Sequence, residues 1–294
     1  MPSFASEIAS RVLAGQAPIV IGLDPRLDAL PRRVAPGAPP AERIVEFYRQ
    51  ALPAIARHAP CVKPNIAFFE CYGSAGYRAF EQTCELARAA GLLVLADVKR
   101  GDIGSTAEAY AQGHYAVADA VTLHPYLGAD SVAPFLRACH PDQGGKAVFV
   151  LVRTSNPGAR DFQDLQVAGD GGPRALCDVV AEAVTRWGAD LPQSEGYSPV
   201  GAVVGATWPE ELARLRNLLP HSWLLLPGVG AQGASVQDLA AAFDARGLGA
   251  LVNQSRGVMQ AFAADDSGWL DRVEEAAATF ARECRAVATA AGNR

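Results

Sequence analysis

The sequence contains neither a long apolar run nor a surplus of positive charge. No apolar stretch approaches the roughly 20 residues that a membrane-spanning helix needs, and the mean hydropathy is only +0.08. The formal net charge of −5 argues against a nucleic-acid-binding protein, because such proteins need a concentrated basic face. These absences predict a soluble protein that holds any anionic ligand through local groups.

Cysteine motifs and targeting signals are also missing. The six cysteines include no CxxC pair and are too sparse for a small disulfide scaffold, so we expect reduced, mostly buried thiols and no structural zinc. The N-terminal segment lacks a basic start followed by an apolar stretch and a cleavage site, which predicts a cytoplasmic protein.

Lysine is scarce. Of 26 Lys and Arg residues, only Lys63, Lys99 and Lys146 are lysines. Lysine carries a compact charge whose proton can be lost when its pKa shifts, so it can act as an acid or a base where arginine cannot. Either these lysines have specific roles, or their scarcity reflects drift in a biased composition.

Eight short apolar runs alternate with amphipathic segments along the chain. The runs are rich in Val, Leu, Ile and Ala and end in polar residues, Gly or Pro, as buried parallel strands do. They occupy residues 18–23, 61–64, 92–99, 120–124, 147–153, 200–206, 223–227 and 250–253. Helical segments are predicted at 41–58, 106–118, 173–187, 209–219 and 235–245. This alternation predicts an α/β fold, a single (β/α)8 TIM barrel over residues 1–294, with terminal helices at about 3–14 and 269–291.

The longest irregular stretch covers residues 156–172, after the fifth predicted strand, and is rich in Gly and Asp. A long loop at the C-terminal end of a barrel strand is usually functional or mobile, although a tolerated insertion is an alternative interpretation.

Charged residues follow the first three predicted strands. Asp97 and Lys99 end the third strand on one predicted face, in line with Leu93 and Leu95, and Asp102 follows a glycine-containing turn. This strand alone could supply only a buried ion pair that caps the barrel. The first and second strands, however, end near Asp24 and at Lys63-Pro64-Asn65. Because active sites of β/α barrels lie at the C-terminal strand ends, we predict one catalytic cluster of perturbed charges there.

The last two predicted strands lead into a candidate anion site. Residues 227–233 form a glycine-rich turn, and residues 253–257 contain Arg256. Loops after the seventh and eighth strands of such barrels frequently bind phosphate, and a guanidinium offers a forked, permanently charged partner. A glycine-rich turn alone is weak evidence, but together with Arg256 it favours a phosphate site.

These motifs resemble the orotidine 5′-phosphate decarboxylase family, particularly its longer bacterial branch (type 2). The run Asp97-Val98-Lys99-Arg100-Gly101-Asp102-Ile103 matches the DxKxxDI signature of that family, and the other motifs follow the expected strands, including residues 154–158 after the fifth. The resemblance implies cofactor-independent conversion of orotidine 5′-phosphate to uridine 5′-phosphate, the last step of de novo pyrimidine nucleotide synthesis, by a homodimer.

The resemblance also implies roles for individual residues. Lys63, Asp97, Lys99 and Asp102 would form the catalytic charge tetrad, with Lys99 donating a proton to pyrimidine carbon 6 and Asp102 reaching into the site of the neighbouring subunit. The substrate would be bound by Asp24, Asn65, Ile103, Thr106, Ser155, Gln232, Ser255 and Arg256. No role is assigned to His124.

Two alternatives remain at this point. A phosphosugar decarboxylase or aldolase of the same suprafamily would use Mg²⁺ and a Glu near the end of the second strand, where this chain has Lys63, whose charge would repel a metal. A non-catalytic nucleotide-binding protein would need the phosphate site but not the tetrad.

Overall fold

Eight parallel strands close into a barrel in chain order, which confirms the predicted (β/α)8 fold. The computed structural model describes residues 2–169, 172–205, 209–228 and 235–291. The barrel strands are β1 Ile19–Leu23, β2 Cys61–Pro64, β3 Leu93–Arg100, β4 Ala120–Leu123, β5 Ala147–Arg153, β8 Ser198–Val204, β9 Ser222–Leu226 and β10 Ala250–Gln254. Outside the barrel, β6 Gln166–Val167 and β7 Arg174–Ala175 form an antiparallel pair.

Helices follow the strands, as the right-handed crossover between parallel strands requires. They are α1 Phe4–Leu13, α2 Pro40–Ile55, α3 Ala67–Glu70, α4 Gly73–Ala89, α5 Gly104–Val117, α6 Ala129–Arg137, α7 Arg160–Gln163, α8 Leu176–Ala189, α9 Pro209–Leu218, α10 Arg256–Met259 and α11 Trp269–Ala291. The helix predicted at 235–245 is instead a 3-10 helix, Val236–Ala242, which begins with a capping box between Ser235 and Asp238. Within the described ranges, no helix is long and apolar enough to cross a membrane.

The core has two layers that follow the alternation of side chains along each strand. Side chains that point outward pack against the helices, whereas those that point inward fill the barrel together with Phe4 and Ile8 of α1. Phe4 meets Phe149 edge to face at 6.0 Å, so α1 closes the N-terminal end of the barrel. Gly201 makes this packing possible, because a Cβ there would lie 2.6 Å from the Phe149 ring.

At the opposite end of the barrel, the inward positions change from apolar to polar. Cys61, Leu95 and Leu151 belong to the inner cluster, and the residue two positions after each of them is charged. Because successive side chains alternate between the two faces, these charges point into the mouth of the barrel. Buried polar side chains occupy five such positions: Lys63, Asp97, Thr122, Arg153 and Asn253.

The described part of the stretch 156–172 contains regular structure, which its composition did not indicate. Its described part contains α7 and β6, and the Gln163 carboxamide binds Thr154 twice: its Oε1 accepts from the Thr154 backbone N–H, and its Nε2 donates to the Thr154 hydroxyl, both at 2.9 Å. Arg153 adds ion pairs to Asp164 at 2.6 Å and to Glu211 on α9 at 3.1 Å. Two side-chain clamps therefore hold the loop against the end of β5.

All six cysteines are free thiols, and five of them are buried, as the spacing predicted.

Candidate active site

The structure brings Lys63, Asp97 and Lys99 together in the mouth of the barrel. The Asp97 carboxylate lies between the two ammonium groups, with Lys63 Nζ 2.7 Å from Oδ2 and Lys99 Nζ 2.5 Å from Oδ1. Each oxygen of one carboxylate therefore has its own cation. Such charge-assisted hydrogen bonds are short and strong, and they fix the spacing of the two ammonium groups.

The pair Lys63 and Asp97 is kept ionised by mutual attraction. Burial would raise the pKa of Asp97, but the charges of Lys63 and Lys99 outweigh it and hold that pKa well below its ordinary value. Burial would likewise lower the pKa of Lys63, yet Asp97 and Asp24 keep it above its ordinary value. The site thus holds a permanent carboxylate beside permanent positive charge at neutral pH.

Lys99 differs from Lys63 in exposure and in backbone conformation. The Lys99 side chain is 45% exposed, against 7% for that of Lys63. Lys99 also has a φ of 44°, in the left-handed region that non-glycine residues rarely adopt. The β3–β4 register shifts between Ala96 and Arg100, so Lys99 lies on a bulge rather than on a regular strand. Lys99 lies close to Asp97, as predicted. The bulge at Lys99 produces this proximity, however, and not the regular alternation of side chains along a strand.

Asp24 and Asn65 directly follow β1 and β2, beside the cluster. One carboxylate oxygen of Asp24 is buried without a hydrogen-bond partner in the described structure, and its charge acts on Lys63. The Asn65 side chain accepts a hydrogen bond from the backbone N–H of Ala67 at 3.2 Å, and its backbone bridges to Asp97. Asp24 therefore has a buried acceptor without a hydrogen-bond partner in the described structure, whereas the side-chain oxygen of Asn65 is used locally.

Asp102 does not join the cluster of its own chain. Its carboxylate accepts a hydrogen bond from the backbone N–H of Ile103 at 2.8 Å, and none of the ion pairs among the described residues includes it. Ile103 and Thr106 are both exposed at the surface beyond β3. Three of the four predicted tetrad residues therefore meet within one chain, and the fourth points elsewhere.

Two of the predicted phosphate residues, Ser255 and Arg256, directly follow β10, which pairs with β1 next to the strands of the cluster. Ser255 packs against Gly22, where a Cβ would come within 2.8 Å of the Ser255 Cβ. Arg256 begins α10 and is exposed. Gln232 lies outside the described residues.

Ser155 lines a cavity beside the Lys–Asp cluster. The cavity measures about 280 Å³ and lies between the ends of β5 and β8, with Asn156, Arg160 and Gly205 also in its wall. Lys63, Asp97 and Lys99 do not line it, so the cavity is distinct from the charge cluster within the described structure.

Lys146 has a structural role at the other end of the barrel. Its ammonium donates to the carbonyl of Ala118 at 2.7 Å and lies over the Tyr115 ring. The low number of lysines in the chain therefore does not by itself show that a given lysine is catalytic.

Thr122 and Arg153 are buried at the site but were not singled out from the sequence. The signal that could have found them is strand parity, since each lies two residues beyond an inward-facing apolar residue of its strand. His124 follows Thr122 at the strand end. Partial burial lowers the pKa of His124, and the positive charge of Lys99 lowers it further by a smaller amount.

Metal-ligating groups are dispersed in the part of the chain that the structure describes. There, no three or more His, Cys, Asp or Glu side chains gather in a geometry that could hold a metal ion.

The fold and the charge cluster together define a (β/α)8-barrel enzyme with a Lys–Asp–Lys array at its C-terminal mouth. The model of the orotidine 5′-phosphate decarboxylase / HUMPS family matches residues 18–265, and the chain belongs to this family. It is similar to an orotidine 5′-phosphate decarboxylase of Rhodopirellula baltica, with 43% identity over 94% of this chain and 97% of the relative.

Two further similarities support the assignment. An orotidine 5′-phosphate decarboxylase of Deinococcus radiodurans is 45% identical over 88% of this chain and 90% of its own length. The crystal structure of a putative orotidine-monophosphate decarboxylase from Toxoplasma gondii superposes with a TM-score of 0.84 at 32% identity, over 99% of this chain and 98% of the other.

Proposed function

We propose that this chain converts orotidine 5′-phosphate to uridine 5′-phosphate and CO₂ as the last step of pyrimidine nucleotide synthesis. The observation that carries the proposal is the Lys63–Asp97–Lys99 array, in which one accessible ammonium lies against a permanently charged carboxylate. Membership of the family and the names of the relatives at 43–45% identity agree with it.

The reaction breaks the bond between carbon 6 and the carboxylate and leaves an electron pair on carbon 6. That pair lies in the plane of the ring and cannot enter its π system, so nearby positive charge must stabilise it. An ammonium at carbon 6 does so and then transfers one proton, giving uridine 5′-phosphate. The former carboxylate leaves as CO₂, the second product.

Lys99 is the proton donor in this proposal, because its side chain is open to a ligand and that of Lys63 is not. Asp97 holds Lys99 in place and also faces the substrate carboxylate, whose negative charge it repels. Lys63 keeps Asp97 ionised from the buried side.

Remote contacts complete the proposed site. The free Asp24 oxygen suits a ribose hydroxyl, and Ser155 suits the pyrimidine ring from the wall of its cavity. Ser255, Arg256 and Gln232 are assigned to the phosphate, while Asn65, Ile103 and Thr106 border the substrate. Binding energy from the phosphate can be used to orient the reacting ring.

The site is proposed to be shared between two chains of a homodimer, with Asp102 acting on the partner's cluster. Apolar side chains lie exposed beyond the ends of the two neighbouring strands β3 and β4: Ile103, which follows Asp102, is 57% exposed, and Tyr126 is 84% exposed. Exposed apolar groups of this size beside a polar rim are typical of an interface. A two-fold axis at this face would bring each Asp102 to the other chain.

The proposed reaction needs no metal, so EDTA-treated protein should retain full activity. The reason is that the Lys63 ammonium occupies the strand end where a metal-dependent relative would need a carboxylate. The measurement is the absorbance change of orotidine 5′-phosphate after EDTA treatment, with and without added Mg²⁺. Loss of turnover that Mg²⁺ restores would favour the phosphosugar alternative.

Arg256→Ala should weaken substrate capture without unfolding the chain. Because hydrogen bonds to charged groups contribute about 1.5–3 kcal/mol, kcat/KM should fall about 10- to 100-fold. Arg282→Ala, at an exposed site on α11, is the matched control and should leave kcat/KM unchanged. An unchanged kcat/KM for Arg256→Ala would remove Arg256 from the phosphate site.

A further inference from the structure

Thr122 lies at the centre of the charge cluster without carrying a charge. It is the inward residue of β4 beyond Ala120, and only 1% of it is exposed. On the adjacent strand β3, it lies beside the segment between Ala96 and Arg100 where the β3–β4 register shifts. The Thr122 hydroxyl is therefore enclosed between the bulge and the carboxylate of Asp97.

Three hydrogen bonds use the full capacity of this hydroxyl. Its oxygen accepts from the backbone N–H of Val98 at 3.0 Å and from that of Lys99 at 2.9 Å. Since both partners are obligate donors, the hydroxyl hydrogen is left for the Asp97 carboxylate, whose Oδ1 lies 3.0 Å away. One side chain thus joins the backbone of the bulge to the acidic group of the cluster.

These hydrogen bonds contact both members of the ion pair, the backbone of Lys99 and the carboxylate of Asp97. Lys99 has a left-handed backbone with a φ of 44°, a conformation that persists in a non-glycine residue only when its surroundings enforce it. The hydroxyl binds the N–H of that residue and the N–H before it. It also donates to Asp97 Oδ1, the same oxygen that receives the Lys99 ammonium.

We propose that Thr122 is a positioning residue for the decarboxylation, which holds Lys99 Nζ at the reacting carbon by fixing both the bulge and the Asp97 carboxylate. This inference rests on the proposed function. A valine would fill nearly the same volume but would leave the buried N–H of Val98 and the partly buried N–H of Lys99 without their acceptor, and Asp97 would lose one of its donors. A displacement of the catalytic ammonium by about 1 Å can reduce turnover about 100-fold.

The alternative is that Thr122 only stabilises the barrel, and Thr83 provides a matched control for it. Thr83 is fully buried in α4, in the helical layer outside the barrel, and its hydroxyl donates to the Ala79 carbonyl at 2.7 Å and not to a group of the cluster. Thr83→Val removes a buried threonine hydroxyl by the same substitution. It should change the melting temperature and leave kcat unchanged.

The test measures kcat, KM and melting temperature for Thr122→Val, Thr122→Ser and Thr83→Val beside the wild type. Thr122→Val should lower kcat about 10- to 100-fold with KM changed less than threefold, because the substrate-binding groups remain in place. Thr122→Ser, which retains the hydroxyl, should keep kcat within about threefold of wild type by the same argument.

Thr122→Ala replaces the valine variant if the latter does not fold, because a water molecule can then bind the two N–H groups without fixing their position relative to β4. Wild-type kcat in either variant overturns the proposal, as does a loss of kcat that serine does not restore. A wild-type enzyme inactive on orotidine 5′-phosphate would instead reject the proposed function, so the two failures are distinguishable.

Discussion

Lys99→Ala is expected to reduce decarboxylation at least about 10⁴-fold while the protein stays folded, because the side chain supplies both a proton and the charge opposite the developing carbanion. Lys99→Arg should fail to a similar degree. A guanidinium keeps its positive charge but releases its proton far less readily, and its planar fork is broader than an ammonium. The measurement is single-turnover conversion of orotidine 5′-phosphate, together with the melting temperature.

The same exchange at another lysine provides the control for this prediction. Lys146→Arg changes a cation that binds the Ala118 carbonyl at the opposite end of the barrel, so activity should be retained. If Lys99→Arg kept a substantial fraction of wild-type turnover, Lys99 could not be the proton donor. The charge of the side chain would then be sufficient without its acidity.

Most of the barrel could be predicted from the chain, because buried parallel strands are apolar on both faces and stand out against amphipathic helices. The errors fall where local chemistry decides the structure. The strand predicted at 200–206 begins earlier, at Ser198, because the Ser198 backbone N–H donates to the His221 carbonyl and Ser198 pairs with Ser222 of β9. Residue 206 lies outside the described residues. The Ser235–Asp238 capping box begins a 3-10 turn where the apolar spacing indicated an α-helix.

The charged part of the site could be predicted, but its geometry could not. Lys63 and Asp97 follow from strand parity, because each lies two residues beyond an inward apolar residue. The bulge at Lys99 depends on the pairing of β3 with β4, which no local pattern reveals. Thr122 escaped attention because a β-branched residue in a strand is ordinary until its partners are known.

The proposed sharing of each site between two chains leads to the second prediction with a large expected effect. Lys99→Ala and Asp102→Ala should each be inactive alone, yet a mixture that is unfolded and refolded together should regain activity. In a mixed dimer, one site receives both alanines and the other receives Lys99 from one chain and Asp102 from the other. Random pairing of equal amounts gives about half mixed dimers, so about a quarter of all sites should be intact.

The geometry of the single chain explains why this experiment discriminates between the two arrangements. Asp102 binds the backbone N–H of Ile103 and not an ammonium, while Lys99 remains 45% exposed and open to a further carboxylate. If Asp102 acted within its own chain, every site in the mixture would retain one lesion and activity would stay at the level of the parents. The control is a mixture of the two variants that were refolded separately and do not exchange chains. Recovery to about a quarter of the wild-type rate only after joint refolding would establish that Asp102 acts across the interface.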